Sequence, residues 1–254
     1  MFFSWLKKRR RRRILAEPVP PAWPAILQEH FDAHVALTPS QRSRLVDDLR
    51  VFIAEKEWEG CGGLELTDDM RVTIAAHACR MILGLDINYF SLVQTILVYP
   101  AGYHAREEVP MGGGVVMQRD SDRLGEAHRR GPVVLSWDDV LEAARNPGRG
   151  ENLVYHEFAH KLDMLNGEAD GIPPIDDGKL IERWLKVLPA ELDSLRRASA
   201  AGRETLLDPY GAENEAEFFA VASECFFDLP QDLRARHPRL YAILGEFYRQ
   251  DPAA

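Results

Sequence analysis

Long apolar runs, paired cysteines and internal repeats are all missing from this sequence. Nowhere are eighteen consecutive residues apolar, so no membrane-crossing helix is expected. The three cysteines, Cys61, Cys79 and Cys225, are odd in number, scattered, and never spaced as CxxC. That argues against a disulfide framework or a cysteine-based metal ribbon and reads as reduced, mostly buried thiols in a cytoplasmic protein. Cationic charge is concentrated in one short run. The segment from Lys7 to Arg13 holds seven cations, and removing them takes the net charge from −9 to −16. A body that acidic is not expected to bind nucleic acid. The remaining composition, 46% hydrophobic and 28% charged over 254 residues, is that of a globular chain long enough for one large domain or two small ones.

What the chain does contain is His156-Glu157-Phe158-Ala159-His160, an H-E-x-x-H motif. Histidines at i and i+4 project from one face of a helix, close enough to bind a common ion. The glutamate between them sits beside that ion without ligating it, where it can take a proton from bound water. Neutral imidazole and carboxylate suit zinc, which supports hydrolysis without redox side reactions. The context favours a helix. Val154, Phe158, Leu162 and Leu165 form one apolar stripe, and Asn166-Gly167 supplies a stop. These residues point to a zinc-dependent peptidase.

Two histidines do not complete such a site, because catalytic zinc normally takes three protein ligands plus water. A longer metzincin-type motif would place its third histidine at position 166, which is Asn166, so that class is excluded. Asp163, three residues past His160, could ligate, but a carboxylate orienting an imidazole is the better reading. The turn Asp208-Pro209-Tyr210-Gly211 offers a weaker aspartate. A stronger source is the segment from Asn214 to Glu224, where Phe218, Val221, Ala222 and Cys225 form an apolar stripe. Glu217 and Glu224 lie two turns apart on one face of it. Glu213 and Glu215 read as a solvated helix edge.

The stretches HEFAHKLDMLNG, DPYG and AEFFAVASECFF, with ILVYP and GPVVLSW upstream, resemble the zinc peptidase family of the Mlc titration factor over most of residues 25–252. The resemblance implies an α+β, mainly helical, zincin-like metallopeptidase fold of gluzincin type, with a small sheet beside the H-E-x-x-H helix. It implies a single zinc ion held by His156, His160 and Glu217, with Glu157 as general base. Tyr210, seven residues before the third ligand, matches a tyrosine also found in the catalytic domain of anthrax lethal factor and is implied to be catalytic. The implied activity is hydrolysis of peptide or protein substrates, with an aminopeptidase tendency. The family name implies a second role, a regulatory binding protein that sequesters a transcriptional repressor of the Mlc type.

Residues 1–20 are expected to be a basic, disordered tail and linker, with Pro18, Pro20, Pro21 and Pro24 marking entry into a single domain over 21–254. That domain is expected to be helical to about residue 90 and catalytic from about 91. A short aromatic cluster beside seven cations could also touch an anionic membrane surface, weakly, or nucleic acid. Thr38, Pro39 and Gln41 form a capping-box start for a helix running to about Trp58. A second helix is expected from Thr67 to Leu83, and strands over 92–99, 115–118 and 131–137, the last capped into a helix by Ser136 or Asp138. Further helices are expected over about 179–200, 213–227 and 238–249. The strand over 131–137 is either an edge that pairs with extended substrate or an interior core strand. His30, His34, His77, His104, His128 and His237 read as ordinary surface or core residues.

Overall fold

The computed structural model describes residues 2–34, 36–101 and 131–254. The expected strand over 115–118, His104 and His128 lie outside them. Ten α-helices and three strands are described: α1 (Phe2–Ala16), α2 (Trp23–His30), α3 (Pro39–Glu55), β1 (Glu57–Gly60), α4 (Asp68–Met81), β2 (Thr95–Tyr99), β3 (Val133–Ser136), α5 (Trp137–Arg145), α6 (Leu153–Asp163), α7 (Gly178–Ala200), α8 (Glu215–Asp228), α9 (Pro230–Arg236) and α10 (Pro238–Tyr248). The architecture is mainly helical with one small sheet, an α+β arrangement.

Local chemistry accounts for several boundaries. The Thr38 side chain accepts from the Gln41 amide while the Gln41 side chain accepts from the Thr38 amide, so α3 starts in the expected capping box. It stops at Glu55 rather than near Trp58, because Trp58 belongs to β1 and pairs with Ile96. Thr67 caps α4 by accepting from Met70 N, and Ser136 rather than Asp138 caps α5 by accepting from Asp139 N. Prolines 20, 21 and 24 do not form an extended linker throughout. Pro24 lies in the first turn of α2, where its missing N–H costs nothing.

The sheet has the order β1-β2-β3, and both pairs are parallel, with Glu57 opposite Thr95 and Ile96 opposite Val133. Ile96 and Val98 on β2 alternate inward with the buried Val133 and Leu135 on β3. Among the described strands β1 and β3 are the two edges, and β3 packs against α6.

The run expected to be a disordered tail is instead helix α1, laid on α3. Arg11 makes a two-pronged pair with Glu55, both bonds 2.8 Å, and Lys7 donates to Asn88 Oδ1 at 2.8 Å. Arg10 donates to Ala54 O, and Arg50 donates back to Ile14 O. The charge run is held by acceptors on the body, which a one-dimensional reading of like charges does not include.

The core sits where α6 crosses α8. Phe158 is fully buried, its ring 4.8 Å from that of Phe90 and 5.7 Å from that of Phe52. Tyr155 packs on Phe227 from α8, at 5.1 Å. From Ala216 to Phe227, every residue of α8 is buried except Glu217, which is half-buried. A helix apolar on all sides belongs in an interior, and here it is covered by α6, α7, α9 and α10.

Candidate metal centre

Helix α6 begins at Asn152, whose Oδ1 accepts from Tyr155 N at 3.1 Å. It ends in a single 3-10 turn, Met164–Asn166, and Gly167 then takes φ +107°. The expected stop at Asn166-Gly167 is therefore where the helix breaks, as a left-handed glycine requires. Between these ends Val154, Phe158 and Leu162 face the core, leaving His156, Glu157 and His160 half-buried on the other side.

Helix α8 supplies the partner. Asn214 accepts from Glu217 N at 3.0 Å, fixing the first turn and placing the Glu217 carboxylate at the positive end of the helix. Glu217 Oε2 lies 3.0 Å from His156 Nε2 and 3.3 Å from His160 Nε2, and the two imidazole Nε2 atoms are 3.1 Å apart. Among the described residues this is the one group of three side chains that could hold a metal ion.

The far side of His156 explains why these atoms converge. His156 Nδ1 lies 2.7 Å from Glu224 Oε1, and Glu224 Oε2 accepts from Asn152 N at 2.5 Å. A proton on Nδ1 shared with Glu224 leaves Nε2 with its lone pair aimed at Glu217 and His160. That is the tautomer a metal ligand needs. Three lone-pair donors at this spacing repel one another unless a cation or a proton sits among them. A tetrahedral ion with ligand bonds of about 2.0–2.1 Å separates its ligands by about 3.3 Å, close to the edges of this triangle. The donor set therefore fits a divalent cation.

Without a cation, protons take that place. Burial disfavours a charged His156, but its hydrogen bonds to Glu217 and Glu224 outweigh burial and push the imidazole up to about 10. Burial raises Glu217 as well, yet the two histidines facing it hold its carboxyl down at about 2. Both shifts describe one strongly attractive cluster, and a cation entering it displaces the imidazole proton.

Tyr210 stands in a 3-10 turn, Pro209–Ala212, with its ring 6.0 Å from the His156 ring and its side chain exposed. Burial of the phenol, followed by the negative charges of Glu217, Glu213 and Glu157, raises it above its ordinary value. It is a hydrogen-bond donor at neutral pH. Asp208 accepts from Tyr210 N at 2.7 Å and shapes this turn. Glu213 and Glu215 are exposed, as read from sequence.

Two carboxylates differ from expectation. Asp163 does not orient a histidine. Its Oδ2 accepts from Gly171 N at 3.0 Å, while its Oδ1 and His160 Nδ1 are both buried without a partner. Gly171 takes φ +74°, and a Cβ there would lie 2.5 Å from Glu215 O, so the loop that follows α6 packs tightly against the start of α8. The orienting carboxylate is Glu224, which sequence reasoning considered only as an alternative ligand. Its signal was present in the seven-residue spacing from Glu217, which puts both carboxylates on one face of α8.

The sequence profile described as glucose-regulated metallo-peptidase M90 matches residues 5–249. An uncharacterized protein of Synechocystis sp. is 36% identical over 244 residues, covering 96% of this chain and 89% of that protein. The Mlc titration factor A of Edwardsiella ictaluri is 38% identical over 220 residues, covering 85% and 83%. The protein of the same name from Salmonella agona is 34% identical over 224 residues, covering 86% and 83%.

Proposed function

The chain belongs to the glucose-regulated metallo-peptidase family, and on that premise we propose that it is a zinc-dependent peptidase of zincin-like fold. The observation that carries this reading is the triangle of His156, His160 and Glu217 with Glu157 beside it on α6. Two imidazoles and one carboxylate suit zinc. When bound, zinc supplies a Lewis acid and lowers the pKa of a water ligand to about 7.

The protein's own residues then do the following. Glu157 accepts the proton released as water attacks the peptide carbonyl, and passes it to the departing amine. The Tyr210 hydroxyl donates to the oxygen that becomes anionic at the tetrahedral carbon. Glu224 holds the His156 ring and its tautomer. The substrate is a peptide or protein segment, and an aminopeptidase preference is part of this proposal.

The test measures zinc content and hydrolysis of a mixed peptide library for the wild type, Glu157→Gln, Glu217→Ala and Tyr210→Phe. The proposal requires zinc to be lost only in Glu217→Ala. Cleavage must be lost in both glutamate variants and slowed in Tyr210→Phe. Zinc lost from Glu157→Gln would make Glu157 a ligand and overturn its role as base.

The names of the relatives support a second reading, that this protein binds a repressor of the Mlc type and sequesters it. The two roles separate cleanly. Glu157→Gln abolishes a peptidase-dependent phenotype and leaves a binding-dependent one intact.

A further inference from the structure

Helix α1 has two faces of different chemistry. Lys7, Arg10 and Arg11 are used in bonds to the body, and Ile14 is half-buried beside them. The opposite face carries Trp5, Arg9 and Arg12 at i, i+4 and i+7, flanked by Lys8 and Arg13, all exposed. The Arg9 guanidinium lies 5.5 Å from the centre of the Trp5 ring. Trp5 lies on this face, while Leu6 and Leu15 lie at its two opposite edges, Leu6 beside the Lys7, Arg10 and Glu55 side. Trp5 is 54% exposed, Leu6 42% and Leu15 37%, and the other exposed large apolar residues described are Leu185 and Tyr210.

A merely solvated helix face has no reason to collect three of five such side chains. A helix of fifteen residues is about 22 Å long, and this one contains no acid. The rest of the chain carries a net −16, as the −9 total less seven cations shows, so this run is a concentration of positive charge on an otherwise net acidic protein. Cations grouped around a tryptophan on one helical face, with a leucine at either edge, match an anionic bilayer surface. The cations meet the lipid phosphates and the aromatic ring settles at headgroup depth.

We propose that the outer face of α1 docks the protein on an anionic membrane surface. It lies on that surface and does not cross the bilayer, consistent with no described helix being long and apolar enough to span one. Nucleic acid is the less favoured occupant, because phosphate recognition makes no use of exposed leucines.

The test is co-sedimentation of the full chain with vesicles of equal parts phosphatidylglycerol and phosphatidylcholine, against pure phosphatidylcholine vesicles, at low and high salt. Binding to the anionic vesicles alone, weakened by salt, is expected. Each cation near such a surface contributes about fivefold. Substituting Lys8, Arg9, Arg12 and Arg13 by Gln should therefore weaken partitioning on the order of a hundredfold or more. Trp5→Ala should weaken it further at unchanged charge. These side chains are exposed, and Gln is a good helix former, so circular dichroism and thermal unfolding should match the wild type. Equal sedimentation with both vesicle types, or no loss in the four-Gln variant, overturns the proposal. So does tighter binding of duplex DNA than of the anionic vesicles at the same salt.

Discussion

Replacing Glu224 by Gln tests whether the centre depends on a carboxylate that need not touch the metal. Glu224 bonds His156 Nδ1 at 2.7 Å with one oxygen and Asn152 N at 2.5 Å with the other. Both partners point donors at it, so a carboxylate satisfies both and an amide only one. Whichever way the Gln side chain turns, its NH2 faces an N–H. If the carbonyl stays on Asn152, His156 loses its orienting acceptor, and losses of this kind typically cost 10–100-fold in metal affinity, about 1.4–2.8 kcal/mol. If it stays on His156, a buried amide at the start of α6 is left unpaired, costing about 1–3 kcal/mol of stability. The assay is competitive zinc titration against a chromogenic chelator, with thermal unfolding of the metal-free protein in parallel. Asn152→Ala is the control. It removes the cap on Tyr155 N, worth about 1 kcal/mol, while its backbone amide still reaches Glu224. The expected pattern is a loss of metal affinity, of stability or of both in Glu224→Gln, against near wild-type affinity with reduced stability in Asn152→Ala. Equal affinities in wild type and Glu224→Gln, with unfolding also unchanged, would refute the reasoning.

Three further outcomes follow from the packing and the charges. Gly171→Ala should destabilise by roughly 2–4 kcal/mol, since φ is +74° and the new Cβ meets Glu215 O. Because that contact lies at the start of α8, metal affinity should fall with it, as the same titration will read. Phe158→Ala should cost about 3–5 kcal/mol in urea unfolding, as it empties the space between the Phe52 and Phe90 rings. Burial, then the charges of Glu224 and Asp32, raises Asp228 to about 8. A folded-state value above the ordinary 3.8 means the folded chain holds a proton that the unfolded chain has released. Stability from this group is therefore complete below about pH 4 and is lost as pH rises through about 8. Asp228→Asn should flatten that decline and raise the melting temperature at pH 8 far more than at pH 4, and identical pH profiles would sink the assignment.

The parts of this protein legible in the sequence are those specified by near neighbours. The H-E-x-x-H helix announces itself because its spacing, stripe and stop all lie within about fifteen residues, and the Thr38 capping box is complete within four. The strand at Thr95–Tyr99 is β-branched enough to stand out. What was misread depends on contacts from afar. Glu57–Gly60 has little strand propensity and becomes β1 only through pairing with β2. Helix α1 reads as a solvated charge run until Glu55 and Asn88, both distant in sequence, supply partners. Helix α2 hides among prolines that otherwise signal a linker.

The same distinction separates Glu217 from Glu224. Both were visible as acids on one face of an apolar helix, but spacing alone cannot say which faces a metal and which faces the back of a histidine. The crossing of α6 and α8 decides it. Glu217, in the first turn of α8, reaches His156 Nε2, and Glu224, two turns on, reaches Nδ1 of the same ring. One imidazole is thus gripped at both nitrogens by one helix. A one-residue slip of α8 along its axis would carry both carboxylates away together, by about 1.5 Å and 100° of rotation. The all-round burial of α8 opposes that slip, because each of its faces is keyed into a different neighbour: Phe218 and Phe219 are fully enclosed, as are Ala222 and Phe226. Apolar side chains that never approach the ligands therefore hold their geometry, which is why large-to-small changes in α8 should weaken metal binding as well as the fold.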